Sequence, residues 1–339
     1  MTKEPFITIG IPVYNGGQCI KFTLESIFVA LKNINDSESV EILVFDNKST
    51  DDTKDIVMEF IDNGFNLRYS CNEKNVGYDG NIDNIVRSAN GRYIWFLGCG
   101  EVVKSDSLAR ILEKIDINIE YTNIILDFDI FSELKGEIID SRVLAFEEDV
   151  LIEGKNNFQF GKYAPAVSSN IINRRKWLDV IERPLIVVGW CHIERILNMI
   201  SLDNNSKTLL LTYPYFTLYR EIGGWWESPK SYQLLLLHIK VINSMISMGY
   251  RKEIVKKLKN KMSRFALVLA ITQSKEYGLK ADVEIFKELY TVLKYDYFLW
   301  VIIYPLLLFP NKFLFLPKIA IETLKFFKKV AGNVKNNIF

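Results

Sequence analysis

The chain has 339 residues, 49% of them apolar and 24% charged, with a formal net charge of +1. That length exceeds what one core usually serves and predicts two structural units, and the apolar content excludes wholesale disorder. The near-zero charge and the lack of any recognition signature exclude nucleic acid as a partner.

Four cysteines occur, Cys19, Cys71, Cys99 and Cys191, and none forms a C-x-x-C pair. A structural zinc site and a disulfide framework are therefore not expected, and a reducing compartment fits better. The opening residues run straight into a strand pattern with no secretory signal, which places the catalytic half in the cytoplasm.

In chain order, residues 6–13 (FITIGIPV) read as a buried strand ending in the loop Tyr14-Asn15-Gly16-Gly17. A helix is predicted from about Cys19 to Leu31, with Leu24, Ile27, Phe28 and Leu31 on one face. Residues 40–45 are a second buried strand, closed by the turn and capping cluster Asp46–Thr53. A helix carrying Ile56, Val57, Phe60 and Ile61 follows, then a strand at Leu67–Ser70, a loop at Asn75–Gly80 and a helix to about Ala89. The fourth strand, Tyr93–Leu97, breaks off at Gly98-Cys99-Gly100-Glu101. This alternation predicts an α/β domain with a mostly parallel sheet, in which ligands bind at the carboxyl ends of the strands. Strand-like and helical pieces then mix to Tyr219, and from residue 231 to 294 the pattern is long helices.

No G-x-G-x-x-G follows the first strand, which weakens a dinucleotide-binding reading, and neither a phosphate-binding P-loop nor a G-x-S-x-G elbow is present. What is present is an ordered set: Ile11–Asn15, Asp46–Thr53, Asn75–Asn81 and Ala89–Gly98. On these four pieces the chain resembles glycosyltransferase family 2, whose members have a GT-A-type nucleotide-sugar-binding fold. The similarity is to bacterial O-antigen and capsule transferases of the abequosyltransferase-like branch. It covers roughly residues 5–110, with weaker agreement to about 225, so 1–225 is expected to be the GT-A-type domain and 226–339 a helical, membrane-associated unit.

The resemblance implies a function and a set of roles. The function is transfer of a sugar, with inversion, from a nucleoside diphosphate sugar to a polyprenyl-diphosphate-linked glycan in surface polysaccharide synthesis. Pro12, Tyr14 and Asn15 would line the nucleotide pocket, Asp46 would accept from the base or ribose, and Asp79, Asn81 and Gly98 would border the nucleotide and sugar. A helix cap at Asp46–Thr53 and a plain turn at Asn75–Asn81 are the structural alternatives. The family usually ends its fourth strand with Asp-x-Asp, holding a divalent cation on the donor diphosphate; here Cys99-Gly100-Glu101 stands there. Glu101 is thus the one remaining carboxylate that could hold Mg²⁺ or Mn²⁺, with basic side chains in place of a metal, or an inactive site, as the alternatives.

An inverting transferase needs a general base, which the family places at a helix start after the middle segment; His192 or Glu194 would fill that role. His192 as a metal ligand and His192 as a packed helix-start residue stay open. Arg220, Trp225 and Trp226 would face the acceptor, with packing as the alternative for the tryptophans.

Residues 297–316 are almost wholly apolar and near the length of a bilayer span, but Pro305, Pro310 and Lys312 interrupt them. With Lys318, Lys325, Lys328 and Lys329 following, an interfacial or re-entrant element at the cytoplasmic face of the inner membrane is expected, against a buried core or dimer contact. Two other classes remain: a non-catalytic scaffold of a glycan-assembly complex, motivated by the altered acidic motif, and a nucleotidyltransferase, whose basic loop after the first strand is missing here.

Overall fold

The computed structural model describes residues 4–155, 166–220, 232–280, 283–293 and 299–308. The N-terminal half alternates as read: β1 (Ile7–Val13), α1 (Ile20–Leu31), β2 (Val40–Asp46), α2 (Thr53–Asp62), β3 (Arg68–Cys71), α3 (Gly77–Ser88) and β4 (Tyr93–Phe96). Then come β5 (Val102–Val103), α4 (Ser107–Lys114), β6 (Asn123–Ser132), β7 (Glu137–Asp140), β8 (Val150–Glu153), β9 (Asn170–Asn173), α5 (Arg174–Leu178), α6 (Cys191–Leu202) and β10 (Lys207–Arg220). Helices α7 (Tyr232–Ser244), α8 (Lys252–Glu276), α9 (Val283–Leu293) and α10 (Tyr304–Leu308) follow.

Among the described residues ten strands join one sheet, in the order β3-β2-β1-β4-β9-β6-β10-β5, with β7 added to β6 and β8 to β10. The run β3-β2-β1-β4 is parallel throughout, as is the long β6–β10 pair. Strand β9 runs antiparallel between β4 and β6, so β6 and β10 point the same way as β1. By length of pairing the sheet is mostly parallel. The sequence pattern did not mark β5, β7, β8 or β9, which are two to four residues long.

The central parallel strands β1 and β4 are apolar because both their faces are covered, whereas the edge strand β3 is exposed to half-buried. Every residue of β1 except Pro12 and every residue of β4 is buried. Trp95 on β4 is wholly enclosed, and its indole Nε1–H donates to the Ser168 carbonyl at 2.8 Å. That bond ties β4 to the segment that enters β9, just below the Gly98 turn.

Contacts divide the chain into Met1–Glu221 with Ser244–Val255, and Ile222–Asn243 with Lys256–Phe339. The second unit has its own core, including Tyr232, Leu236, Ile271, Leu289 and Leu307. Within it Lys275 Nζ donates to the Leu306 and Leu307 carbonyls at the end of α10, where a cation favours the helix dipole. Among the described residues no helix is long and apolar enough to cross a membrane. Of the run 297–316, only 299–308 is described, with Leu306 and Leu307 buried and Val301, Ile302, Tyr304 and Leu308 exposed. The lysines from 318 to 329 lie outside the described residues.

Trp95→Phe keeps most of the ring volume but strands the buried Ser168 carbonyl. It is expected to lower unfolding free energy by about 1–3 kcal/mol in denaturant melts; an unchanged midpoint would show that the bond is dispensable.

Candidate active site

The loops after β1, β2 and β4 meet at the carboxyl edge of the sheet, and side chains stitch them together. The Asn15 N–H donates to Ser49 Oγ at 2.8 Å, and Thr50 N donates back to Asn15 Oδ1 at 2.9 Å. Gly16 N donates to Thr53 Oγ1 and Gly17 N to Asp51 Oδ2, both at 2.9 Å. Asn15 holds φ at +51°, a left-handed conformation that Asn tolerates better than most residues. Tyr14, beside it, is 51% exposed.

Asp46 ends β2 with its carboxylate almost entirely enclosed. Oδ1 accepts from Ser49 N (2.8 Å) and Ser49 Oγ (2.6 Å), and Oδ2 accepts from the Tyr69 hydroxyl (2.6 Å). Burial, with Asp46 alongside, pushes the Tyr69 phenol up, so it stays a donor. Asp46 thus builds the turn at its own strand end rather than capping α2, whose N-cap is Asp52, and Oδ2 has capacity for one further donor.

An asparagine network holds the next loop. Asn72 Nδ2 donates to Asn47 Oδ1 (3.0 Å) and to Asn81 Oδ1 (2.9 Å), and Asn81 Nδ2 donates to the Phe45 carbonyl (3.1 Å). Asn47 also accepts from Val76 N and donates to Asn75 and to the Gly77 carbonyl. Asn81 is therefore turned into the protein. Asn72 went unremarked in the sequence, because a lone Asn at the end of a strand carries no local signal.

Asp79 lies in the first turn of α3, yet its carboxylate serves α6. Its Oδ2 accepts from Gly189 N (2.5 Å) and its Oδ1 from Cys191 N (3.0 Å), which satisfies amides at the α6 N-terminus. This fixes the start of α6, where His192 and Glu194 sit. His192 is buried, with Nδ1 3.2 Å from the Tyr78 hydroxyl and its ring 5.9 Å from that of Trp190. Glu194 is buried too, but both its oxygens are engaged: Oε1 accepts from Ile186 N (2.9 Å), and Oε2 from Ile186 N (3.1 Å) and Val187 N (3.0 Å). The two candidate bases thus differ in surroundings, Glu194 anchoring the preceding loop and His192 meeting a tyrosine.

The turn after β4 folds Glu101 back on itself. Gly98 N donates to Glu101 Oε2 (3.2 Å) and to Ser168 Oγ (2.9 Å), and Glu101 N donates to the Gly98 carbonyl (3.1 Å). A Cβ on Gly98 would stand 3.0 Å from the Glu101 carboxyl carbon, a tight contact that a few tenths of an ångström of side-chain movement relieves. Burial pushes Glu101 up to about 7, against opposing hydrogen bonds from Ser168 and Gly98. Among the described residues no group of three or more His, Cys, Asp or Glu side chains is arranged to hold a metal ion. Arg220 ends β10 opposite Ser132 on β6, and Trp225 and Trp226 lie outside the described residues.

The model of a known family, glycosyl transferase family 2, matches residues 8–181, just over half of the chain. The chain belongs to glycosyl transferase family 2. Over 115 residues it is 33% identical to the abequosyltransferase RfbV of Salmonella typhimurium, 32% of either chain. Over 111 residues it is 27% identical to the GalNAc(5)-diNAcBac-PP-undecaprenol beta-1,3-glucosyltransferase of Campylobacter jejuni, 32% of this chain and 34% of that one. The match therefore spans about a third of the length of these curated relatives. Among solved structures, S. aureus TarS 1-349 in complex with UDP-GlcNAc superposes with a TM-score of 0.58 at 17% identity, covering 85% of this chain and 79% of that chain. The mannosyltransferase PcManGT of Pyrobaculum calidifontis, with GDP-Man and Mn²⁺, does so with a TM-score of 0.55 at 14% identity, covering 91% and 86%. The fold is the GT-A fold expected from the four loops.

The raised Glu101 carboxyl makes stability depend on pH. An unfolded Glu ionises near 4.5, whereas the folded one keeps its proton to about 7. Between those values only the unfolded chain gives up the proton, so this group lowers stability as pH rises from about 4.5 to 7 and changes it no further above. Glu101→Gln is expected to unfold like the wild type in acid and to be the more stable of the two at pH 8. A difference that does not change with pH would remove the burial assignment.

Proposed function

We propose that this chain transfers a sugar, with inversion, from a nucleoside diphosphate sugar to a polyprenyl-diphosphate-linked glycan, at the cytoplasmic face of the inner membrane, in O-antigen or capsule synthesis. The observation that carries the reading is the interlocked set of loops, Tyr14–Gly17, Asp46–Thr53 and Gly98–Glu101, at one edge of a GT-A sheet. The Campylobacter relative's name contains a PP-undecaprenol acceptor, and the TarS structure holds UDP-GlcNAc; both support the substrate classes.

Pro12, Tyr14 and Asn15 form the base-side wall, with Tyr14 offering an exposed ring face. Asp46 takes one N–H or hydroxyl of the nucleoside on Oδ2. Asp79 and Asn81 shape the pocket wall from behind, and the Gly98 turn sets the floor under the diphosphate. Arg220, Trp225 and Trp226 stay the acceptor-binding candidates by family resemblance alone, the two tryptophans lying outside the described residues. The exposed apolar residues at 301–308, with the lysines that follow, suit a membrane surface.

His192 is the better base of the two, because the Glu194 carboxylate is committed to Ile186 and Val187. The acceptor hydroxyl gives its proton to the imidazole as its oxygen bonds the anomeric carbon, and the bond from that carbon to the diphosphate oxygen breaks on the opposite face. The residues fit a cation only in part. Glu101 would be the one carboxylate on a Mg²⁺ or Mn²⁺ otherwise held by donor phosphates, and the ion would offset charge on the leaving diphosphate.

A panel of nucleotide sugars, followed by thermal shift and by nucleoside diphosphate release with and without Mn²⁺ or Mg²⁺, tests the donor class. A cation-dependent hit is expected, and failure of the folded protein to bind any of them would overturn the proposal. His192→Gln is expected to lower kcat by about 10²–10⁴-fold with donor affinity kept. Near wild-type turnover in that variant would take the base role from His192.

A further inference from the structure

We propose that Cys19 and Cys99 are a redox modification site, closed by an intramolecular disulfide that ties together two loops of the donor site and slows turnover. The two residues are 80 positions apart in the chain, yet their Sγ atoms lie 2.7 Å from each other. Cys19 is the residue from which α1 starts, directly after the Tyr14–Gly17 loop, and Cys99 sits inside the Gly98–Glu101 turn. Both are thiols on partly exposed residues. Both also point at the Gly16 carbonyl, at 3.4 Å from Cys19 Sγ and 3.7 Å from Cys99 Sγ. A Cβ on Gly16 would stand 2.7 Å from Cys99 Sγ, so glycine leaves the room in which the sulfurs meet. A disulfide bond is about 2.0 Å long, so small side-chain rotations bring the sulfurs to bonding distance.

The other two cysteines are internal controls. Cys71 is exposed with its thiol on the Asn72 carbonyl, and Cys191 is buried, its thiol pushed well up by burial and by Asp79. Neither sits beside a second cysteine in any hydrogen bond of the described residues.

A low-molecular-weight disulfide such as oxidised glutathione is the co-reactant. One protein thiol, losing its proton, attacks a glutathione sulfur, breaks that S–S bond and releases one glutathione as thiolate. The second protein thiol loses its proton and attacks the protein sulfur of the mixed disulfide, releasing the other glutathione. Two protein thiols are oxidised by two electrons, one glutathione disulfide is reduced to two glutathiones, and the two protons go to the leaving thiolates. The new bond pins Cys99, one residue from Gly98 and two from Glu101, to the start of α1. It removes the freedom of those loops to adjust to the donor diphosphate. This consequence rests on the transferase reading; the bond itself does not.

The experiment is oxidation of the full chain with glutathione disulfide, followed by alkylation, peptide mass mapping and donor turnover before and after dithiothreitol. The expected result is a Cys19–Cys99 linked peptide, two thiols lost, and at least a tenfold fall in nucleoside diphosphate release that reductant restores. Cys19→Ser and Cys99→Ser, each compared with itself, should turn over equally with and without oxidant, while Cys71→Ser still responds. Absence of the linked peptide, or a linked protein with unchanged turnover, would overturn the proposal. A linked protein with no turnover in either state would uphold the bond and count against the transferase reading instead.

Discussion

A backbone N–H that leaves a parallel strand has lost its ladder partner, and burying it without another acceptor is costly. At the carboxyl edge of this sheet side chains supply those acceptors. Asn15, Asp46, Asn47, Asp51, Asp79 and Glu194 each accept from backbone amides of loops that follow a strand or precede a helix. Satisfying those amides gives the loops one shape. Most of the polar side chains in these loops are therefore spent on holding the loops themselves.

The same constraint separates residues that look alike in sequence. Asp46, Asp79 and Glu194 are acids in plausible donor or base positions, yet each carboxylate is turned toward its own scaffold. His192 is different because Asp79 holds the helix start beneath it while its own ring meets Tyr78 and Trp190. Glu101 is different again. In the turn Gly98–Glu101 its carboxyl folds back over the strand end to accept from Gly98 N. A carboxyl raised to about 7 there is half protonated near neutral pH. Charge at this position therefore depends on what enters the site.

The first seven elements were legible because each carries its own periodicity. β1, β2 and β4 are apolar on both faces, and α1 shows its stripe of Leu24, Ile27 and Phe28. The strands β5, β7, β8 and β9 were not, since two to four residues hold too little pattern, and three of them are stabilised by pairing with segments far along the chain. In the site, Asp46–Thr53 is readable from residue type as a turn-forming cluster, and the Ser49 bond to Asp46 and the Thr53 bond to Asp51 form it, while the α2 N-cap Asp52 makes no side-chain cap bond.

The sequence by itself determined the alternating α/β core, the family and the loops that could form a pocket, because these depend on neighbours within a few residues. Tertiary structure decided which polar atoms are still available. The pairings of Asp79 with Gly189 and Cys191, of Tyr78 with His192 and of Cys19 with Cys99 join residues 80 to 114 positions apart. The physical reason is that strand order sets those approaches: β1 lies between β2 and β4, and β9 between β4 and β6. No local periodicity encodes that order.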